Sequence, residues 1–266
     1  MFSDTGIRLM FFLGVFLLVA LAEQFWPRRA LTVPKGQRWF CNCTMVVIDS
    51  LAVRLVLPLM PTGVAELAGL NGWGILNTLT LPLWLKILLV ILVLDLIIYL
   101  QHRIFHRVAL FWRFHRMHHT DLDLDVSSGN RFHPLEILLS LVIKMGAVLV
   151  LGAPAIAVVA FEILLNATSL FNHGNLSIPP AIDRWLRLFL VTPDMHRVHH
   201  SVIPRETDSN FSFNLPWWDR MLGTYRDQPR DGQVGMTIGL KEFREADRLD
   251  LAYLLMLPFR GKGANE

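Results

Sequence analysis

Long apolar segments alternate with shorter polar stretches along most of the chain. The apolar segments cover residues 7–25, 43–60, 81–100, 136–151 and 153–171. Their lengths suit helices that span or nearly span a bilayer. The last two are separated only by a short stretch around Pro154, which predicts a tight hairpin. The pattern therefore predicts an all-α integral membrane bundle of about four to five helices.

Positive charge is unevenly distributed around these segments and predicts their orientation. Basic residues follow the first segment (Arg28, Arg29, Lys35, Arg38) and the third (Arg103, Arg107, Arg113, Arg116). The positive-inside rule places both regions in the cytoplasm and the loop at 61–82 outside. The C-terminal sequence "GKGANE" has no di-lysine or KDEL-like retention signal, which favours a bacterial inner membrane over the endoplasmic reticulum.

Composition agrees with a membrane protein. Hydrophobic residues make up 53% of the chain and charged residues only 18%, respectively above and below the shares of an ordinary soluble domain. The net charge of +3 is interpreted as membrane topology, and no motif resembles a nucleic-acid-binding module. We divide the chain into N-terminal membrane helices (1–80), a catalytic region (81–228) and a polar C-terminal tail (229–266).

Ten histidines stand in a few short motifs: "HRIFH" at 102, "HRMHH" at 115, "RFHPLE" at 131, "NHGN" at 172 and "HRVHH" at 196. On a helix, residues three and four apart share a face, so each box should aim its imidazoles at a common point. Thr192 and Pro193 predict a helix start just before the last box. Neutral imidazoles side by side have few structural uses and protonated ones repel, so the boxes predict a metal centre. A zinc site needs only three or four ligands, so this many histidines indicate two ions in a cytoplasmic helical cap.

The order of the boxes, with "NLPWWDRMLGTY" at 214–225, resembles the fatty acid hydroxylase superfamily, in particular its sterol desaturase branch, over residues 90–226. That resemblance implies a non-haem di-iron oxygenase that uses O2 to hydroxylate, desaturate or oxidatively cleave lipids. Its implied metal ligands are His102, His106, His115, His118, His119, His173, His196, His199, His200 and His133. The last of these precedes Pro134 and Glu136, so it could instead anchor its loop or line the substrate entrance.

Four polar residues are expected to support the ligands from behind. Asp95 lies on the same helical face as His102, and its carboxylate could accept the free ring N–H of a ligand; a pair with Lys144 is the alternative. Intramembrane polar groups are often functional, which adds Glu162 and Asn166. Asp194 could orient a histidine or simply stabilise the start of its helix.

Electrons must come from another protein, because the chain shows no dinucleotide fingerprint, flavin-binding unit, CxxC pair or haem domain. A ferredoxin or a b-type cytochrome is the expected donor. Its expected docking surface is basic: Arg103, Arg107, Arg113, Arg116, Arg131, Arg197 and Arg205. Membrane topology and lipid phosphate contacts would explain many of these arginines equally well.

The predicted function is therefore oxygen-dependent hydroxylation or desaturation of a membrane lipid taken from the bilayer. Two alternatives stay open. A histidine-rich membrane protein could bind or transport metal, and then its ligands should be spread through the depth of the bilayer. A non-catalytic family member could act as a partner subunit, which would normally have lost some ligands.

Overall fold

The structure is a computed structural model that describes residues 4–260, and its regular secondary structure in that range is helical apart from two isolated β-bridges. The α-helices are α1 (Asp4–Phe25), α2 (Lys35–Val56), α3 (Pro61–Asn71), α4 (Leu83–Arg107), α5 (Ala109–His119), α6 (Pro134–Leu151), α7 (Ala155–Asn172), α8 (Pro180–Leu186), α9 (Pro193–His199), α10 (Pro204–Thr207), α11 (Trp217–Met221), α12 (Gly232–Gly235) and α13 (Leu251–Met256). The sequence "GKGANE", used above for localisation, lies outside the described residues.

Five helical stretches are long and apolar enough to cross a membrane: α1, α2 continuing into α3, α4, α6 and α7. They present large apolar side chains on their outer faces, among them Leu18, Leu55 and Trp84, each more than half exposed. Such surfaces would be a liability in water but match the acyl chains of a bilayer. The predicted all-α bundle with about four to five membrane helices is confirmed.

α4 connects the membrane bundle to the histidine region. It starts after Pro82 and continues beyond residue 100 to Arg107 without interruption. One face of the helix packs Val90 and Leu94 into the central core, together with Val158 and Phe161 of α7. Because the helix continues as one rigid element, it delivers His102 and His106 directly to the next layer of the protein.

The predicted loop at 61–82 is wrong in its first half, where the structure has α3. Pro61 occupies the first helical position, and Ala65 and Ala68 are buried where α3 packs on α6 and α7. This helix is difficult to predict from the sequence because it contains two glycines and shows no helical periodicity of charge. Beyond α3, Gly74 adopts a φ of +91° and packs against the backbone of Gly152, in the hairpin between α6 and α7.

The histidine-bearing cap is fastened to α2 by a buried ionic network. Arg38 contacts the carboxylates of Asp121 at 2.6 Å and of Asp125 at 2.8 Å. Both acids lie in the "DLDLD" segment that follows α5, and Asp125 also caps a 3-10 turn at Val126–Asn130. Each buried charge thus has an opposite partner, and the loop behind the first HxxHH box is fixed.

The described part of the predicted polar tail folds back onto the cap. Leu254 and Leu257 are fully buried and pack in one cluster with Met45 of α2 and Met117 of α5. Arg116 donates hydrogen bonds to the carbonyl of Leu257 at 2.6 Å. The segment therefore closes one side of the cap, although its few apolar residues are too short a run to stand out in the sequence.

Candidate metal centre

Nine of the ten histidines converge in two neighbouring groups. Within each group, one ring nitrogen of every member lies within 4.8 Å of those of all the others. Group one contains His102, His106, His115, His119 and His199, and group two contains His118, His173, His196 and His200. All nine side chains are buried. They come from α4, α5, the end of α7, and α9, so every one is held on or directly beside a helix.

Each HxxHH box is divided between the two groups. In α5, His115 and His119 lie one turn apart and point into group one, while His118 points into group two. In the second box, His196 and His200 point into group two, and His199 points into group one. Residues i and i+4 share a helical face, whereas i+3 lies about 60° to one side of i. The expectation that each box serves a single point was wrong.

Backbone carbonyls fix the orientation of four of the nine rings. The Nδ1 atom donates to a carbonyl oxygen at 2.7–3.2 Å in His102 (to Phe211), His118 (to Arg131), His173 (to Ser169) and His199 (to Ser209). A carbonyl oxygen can only accept, so Nδ1 carries the proton in each of these rings. The Nε2 atom is then left with a bare lone pair.

These lone pairs face one another in group two. The Nε2 atoms of His118 and His173 lie 3.0 Å apart, and neither ring has a proton to place between them. Protonation is opposed by the surroundings: burial, followed by the neighbouring histidines, lowers the pKa of His118 well below its usual value. Burial also lowers the pKa of His173 to about 4. Only a bound cation removes the repulsion, so the residues fit a metal ion.

Group one is likewise a cluster of buried imidazoles, and two carboxylates contact its histidines from outside the cluster. His115 donates from Nδ1 to Glu136 at 2.7 Å, and His106 Nδ1 lies 3.3 Å from Asp208. Glu136 is 4% exposed, whereas the Asp208 side chain is 48% exposed. Carboxylates in this position orient a ligand and raise its basicity. Sequence reasoning missed both; the available signal for Glu136 was an acid in the first turn of a mostly apolar helix.

His133 lies outside both groups. Its Nδ1 accepts from the backbone N–H of Leu135 at 3.1 Å and caps the start of α6, and its Nε2 donates to the carbonyl of Leu255, also at 3.1 Å. Both ring nitrogens are therefore occupied by backbone groups. This position does not support the predicted role of His133 as a tenth ligand and favours the alternative, in which it anchors its loop.

Asp95 supports the centre through an intermediate segment rather than by touching a ligand. Its carboxylate accepts from Asn214 Nδ2 at 2.8 Å, from the Leu215 N–H at 3.2 Å and from Trp218 Nε1 at 2.8 Å. The segment it holds, 211–218, includes the carbonyl that orients His102. The prediction thus placed Asp95 on the correct face of α4. Asp95 does not contact the ring of His102, however, because residues 211–218 lie between them.

The other predicted supporting residues lie further away. Glu162 forms ion pairs with Lys144 at 3.1 Å and with Arg8 at 2.9 Å, so Lys144 pairs with Glu162 and not with Asp95. Asn166 lines a cavity described below. Asp194 pairs with Arg197 and with Arg28, 3.0 Å away, and thereby ties the start of α9 to the chain that leaves α1.

A cavity of about 450 Å³ opens beside group one, within the membrane bundle. His102 and His115 form part of its wall, and its remaining lining comes mainly from α1, α2, α4, α6 and α7. Apolar side chains such as Phe105 and Phe213 alternate there with polar ones. The volume falls within the usual range of small-ligand sites. A molecule in this cavity would lie against the histidines and among the membrane helices at the same time.

Three of the seven arginines proposed for donor docking are unavailable at the surface. Arg116, Arg131 and Arg197 are at most 6% exposed and bind groups inside the protein. Arg107 and Arg205 are exposed, and Arg103 and Arg113 are half-buried. A docking surface at this face is therefore narrower than the sequence indicated.

Comparison with known proteins identifies the family. The fatty acid hydroxylase family model matches residues 87–224, which is more than half of the chain. This chain belongs to the fatty acid hydroxylase family. The matched residues contain all nine histidines of the two groups. The predicted fatty acid hydroxylase family is confirmed, and its sterol desaturase branch stays a prediction. No solved structure gives a significant match.

Several relatives of this fatty acid hydroxylase family member have names that describe reactions of lipids or long-chain aldehydes. Ornithine lipid hydroxylase OlsE of Rhizobium tropici is 28% identical over 70% of this chain and 54% of its own length. Alkylglycerol monooxygenase of Homo sapiens is 27% identical over 54% of this chain and 32% of its own length. A very-long-chain aldehyde decarbonylase of Oryza sativa subsp. indica is 27% identical over 67% and 31%. The chain thus spans about half of the first relative and about a third of the others.

Proposed function

We propose that this protein oxidises C–H bonds of a membrane lipid with O2, using two iron ions held by the two histidine groups. One observation carries the proposal: buried imidazole lone pairs that only a cation can separate lie beside a cavity among membrane helices. Family membership and the hydroxylase and monooxygenase names of the relatives support it.

Iron is proposed for its chemistry, since imidazole also binds zinc, copper and nickel. When bound, iron supplies an O2-derived oxidant that can attack an unactivated C–H bond, which no side chain or zinc hydroxide does. The five histidines of group one would hold one ion and the four of group two the other. Neither group contains a carboxylate ligand, so Glu136 and Asp208 would offset positive charge from behind the rings.

The protein itself would position the substrate and exclude water. His102 and His115 form part of the cavity wall, so a lipid segment in the cavity would lie next to group one. The carbonyls of Phe211 and Ser209 would keep Nε2 free for the metal. Residues 81–228 would form the catalytic region, with α1 and α2 completing the cavity wall.

We favour hydroxylation over desaturation, because the names of the first relatives describe insertion of oxygen. Electrons would come from a ferredoxin or a b-type cytochrome that docks near the exposed Arg107 and Arg205. This face would lie in the cytoplasm of a bacterium, with the helices in its inner membrane. The clustering of all nine ligands at one end of the bundle supports an enzyme over a transporter, whose ligands should follow a path through the membrane.

The first test is metal analysis with Mössbauer spectroscopy on protein produced in iron-57 medium. We expect about two irons per chain that form a coupled pair and are oxidised by O2. A His118→Ala, His173→Ala double variant should lose iron and lipid oxidation together, whereas His133→Ala should keep both. Zinc alone in the purified protein, combined with no lipid oxidation after iron reconstitution, would refute the proposal.

A further inference from the structure

The wall of the cavity beside group one contains a buried acidic side chain with an unpartnered oxygen. Asp49 of α2 lines the cavity and is only 9% exposed. Its Oδ1 atom has no hydrogen-bond partner, and no ion pair reaches the residue within the described part of the chain. Gln101 Oε1, on the wall formed by α4, is likewise buried without a partner. Both residues line a space large enough for a ligand.

A second charged feature of the cavity has the opposite sign. Arg8 and Lys144 share a single acid, Glu162, at 2.9 and 3.1 Å. One carboxylate between two cations leaves a net positive charge, and Arg8 Nε and Nη2 have no acceptor among residues 4–260. Lys144 lies eight residues after Glu136 on α6, which separates their backbones by about 12 Å along the helix. The cavity therefore has an acidic side chain on α2 and surplus positive charge deeper in the bundle.

An apolar tail alone cannot account for this lining. Burying an acidic side chain and guanidinium N–H groups without partners in a membrane bundle costs free energy, and such groups are usually paired or functional. The ionic contacts of Glu162 have a structural use, because they join α1, α6 and α7. Asp49 forms no ion pair of this kind with any other described residue. Its carboxyl group is therefore available to pair with a group that enters the cavity.

We propose that the cavity binds a zwitterionic lipid head group, with a protonated amine of the head group paired to Asp49. The proposal rests on the proposed lipid oxidation and specifies its substrate class. The acidic group or carbonyl oxygen of the same head group accepts from the free N–H groups of Arg8. The volume of about 450 Å³ holds the head group and the first carbons of a chain, and the rest of the chain extends between the helices into the bilayer.

Binding to three lipids that differ at one atom tests the inference. The probes are N-palmitoyl-ornithine, the N-palmitoyl-norvaline that lacks its terminal amine, and the matching terminal alcohol. Dissociation constants are measured by titration calorimetry on the full-length protein, metal-loaded and in detergent, without turnover. We expect the wild type to bind the amine at least about tenfold tighter than either analogue, as a desolvated charge pair requires.

Variants separate the pair from general effects on folding. Asp49→Asn should bind all three probes equally, Asp49→Glu should keep the preference for the amine, and the exposed Asp231→Asn is the matched control. Equal binding of the three probes by the wild type, or an undiminished preference in Asp49→Asn, would overturn the inference. Failure of the lipid oxidation itself is distinguishable, because it would leave the amine preference intact while the iron-loaded protein showed no oxidised product.

Discussion

Removal of the Glu136 carboxylate should weaken metal binding in group one. The carboxylate accepts from His115 Nδ1 at 2.7 Å and is 4% exposed. Leaving a buried N–H donor without its acceptor costs about 1–3 kcal/mol, and each 1.4 kcal/mol corresponds to about a factor of ten. Glu136→Ala should therefore weaken the affinity for Fe(II) about 10- to 100-fold, in line with losses at comparable orienting residues. Glu136→Gln keeps an acceptor oxygen, so its loss should stay below about tenfold.

The assay is anaerobic competition between the protein and a coloured Fe(II) chelator, evaluated for the two ions separately. His133→Ala is the matched control, because His133 stands at the start of the same helix but outside both histidine groups. It should lower the free energy of unfolding by about 1 kcal/mol through loss of the helix cap and leave iron affinity unchanged. Wild-type affinity in Glu136→Ala, or equal losses in the Ala and Gln variants, would refute the reasoning.

Three further predictions concern stability and the support of the centre. Burial lowers the pKa of His173 from 6.5 to about 4, so the unfolded chain binds a proton at this residue more readily than the folded chain does. Acidification of the metal-free protein from pH 6.5 to 4 should therefore lower its free energy of unfolding, with His173 contributing up to about 1.4 kcal/mol per pH unit. The measurement is denaturant unfolding in detergent at each pH. Gly74→Ala would place a Cβ 2.1 Å from hairpin backbone and should lower the melting temperature more than Gly72→Ala, which has a positive φ but open space; equal shifts would contradict this. Asp95→Leu leaves three hydrogen-bond donors unpaired and should reduce the iron content, whereas Asp95→Asn should retain most of the iron. Equal iron content in the two variants, determined by metal analysis, would show that the segment at 211–218 does not need this acid.

The sequence predicted those features that depend on periodicity within one element. The apolar segments matched α1, α4, α6 and α7 closely, because a membrane helix requires a long uninterrupted apolar run. Thr192 and Pro193 correctly marked the start of α9, where the Thr192 side chain accepts from the Met195 N–H, because capping is local chemistry. α3 was missed because it is short, contains Gly63 and Gly69, and is buried only through the way α6 and α7 pack against it.

In the candidate site, too, the sequence predicted features within one helix but not contacts between helices. Spacing alone indicated that His115 and His119 share a direction, and the structure agrees. Spacing could not indicate that His118 meets His173, or that Glu136 meets His115, because these contacts depend on how separate helices are placed. Asp95 illustrates the limit: the helical register gave the correct face, but only the tertiary structure shows that residues 211–218 lie between it and the ring of His102.

The division of each HxxHH box between two groups ties the two metal sites together thermodynamically. α5 supplies His115 to one group and His118 to the other, and the second box does the same with His196 and His199. The first ion to bind would immobilise both helices and so reduce the ordering cost for the second, which is positive cooperativity. Chains with a single ion should then be scarce in a native mass spectrometry titration, and a chelator should empty both sites over the same concentration range.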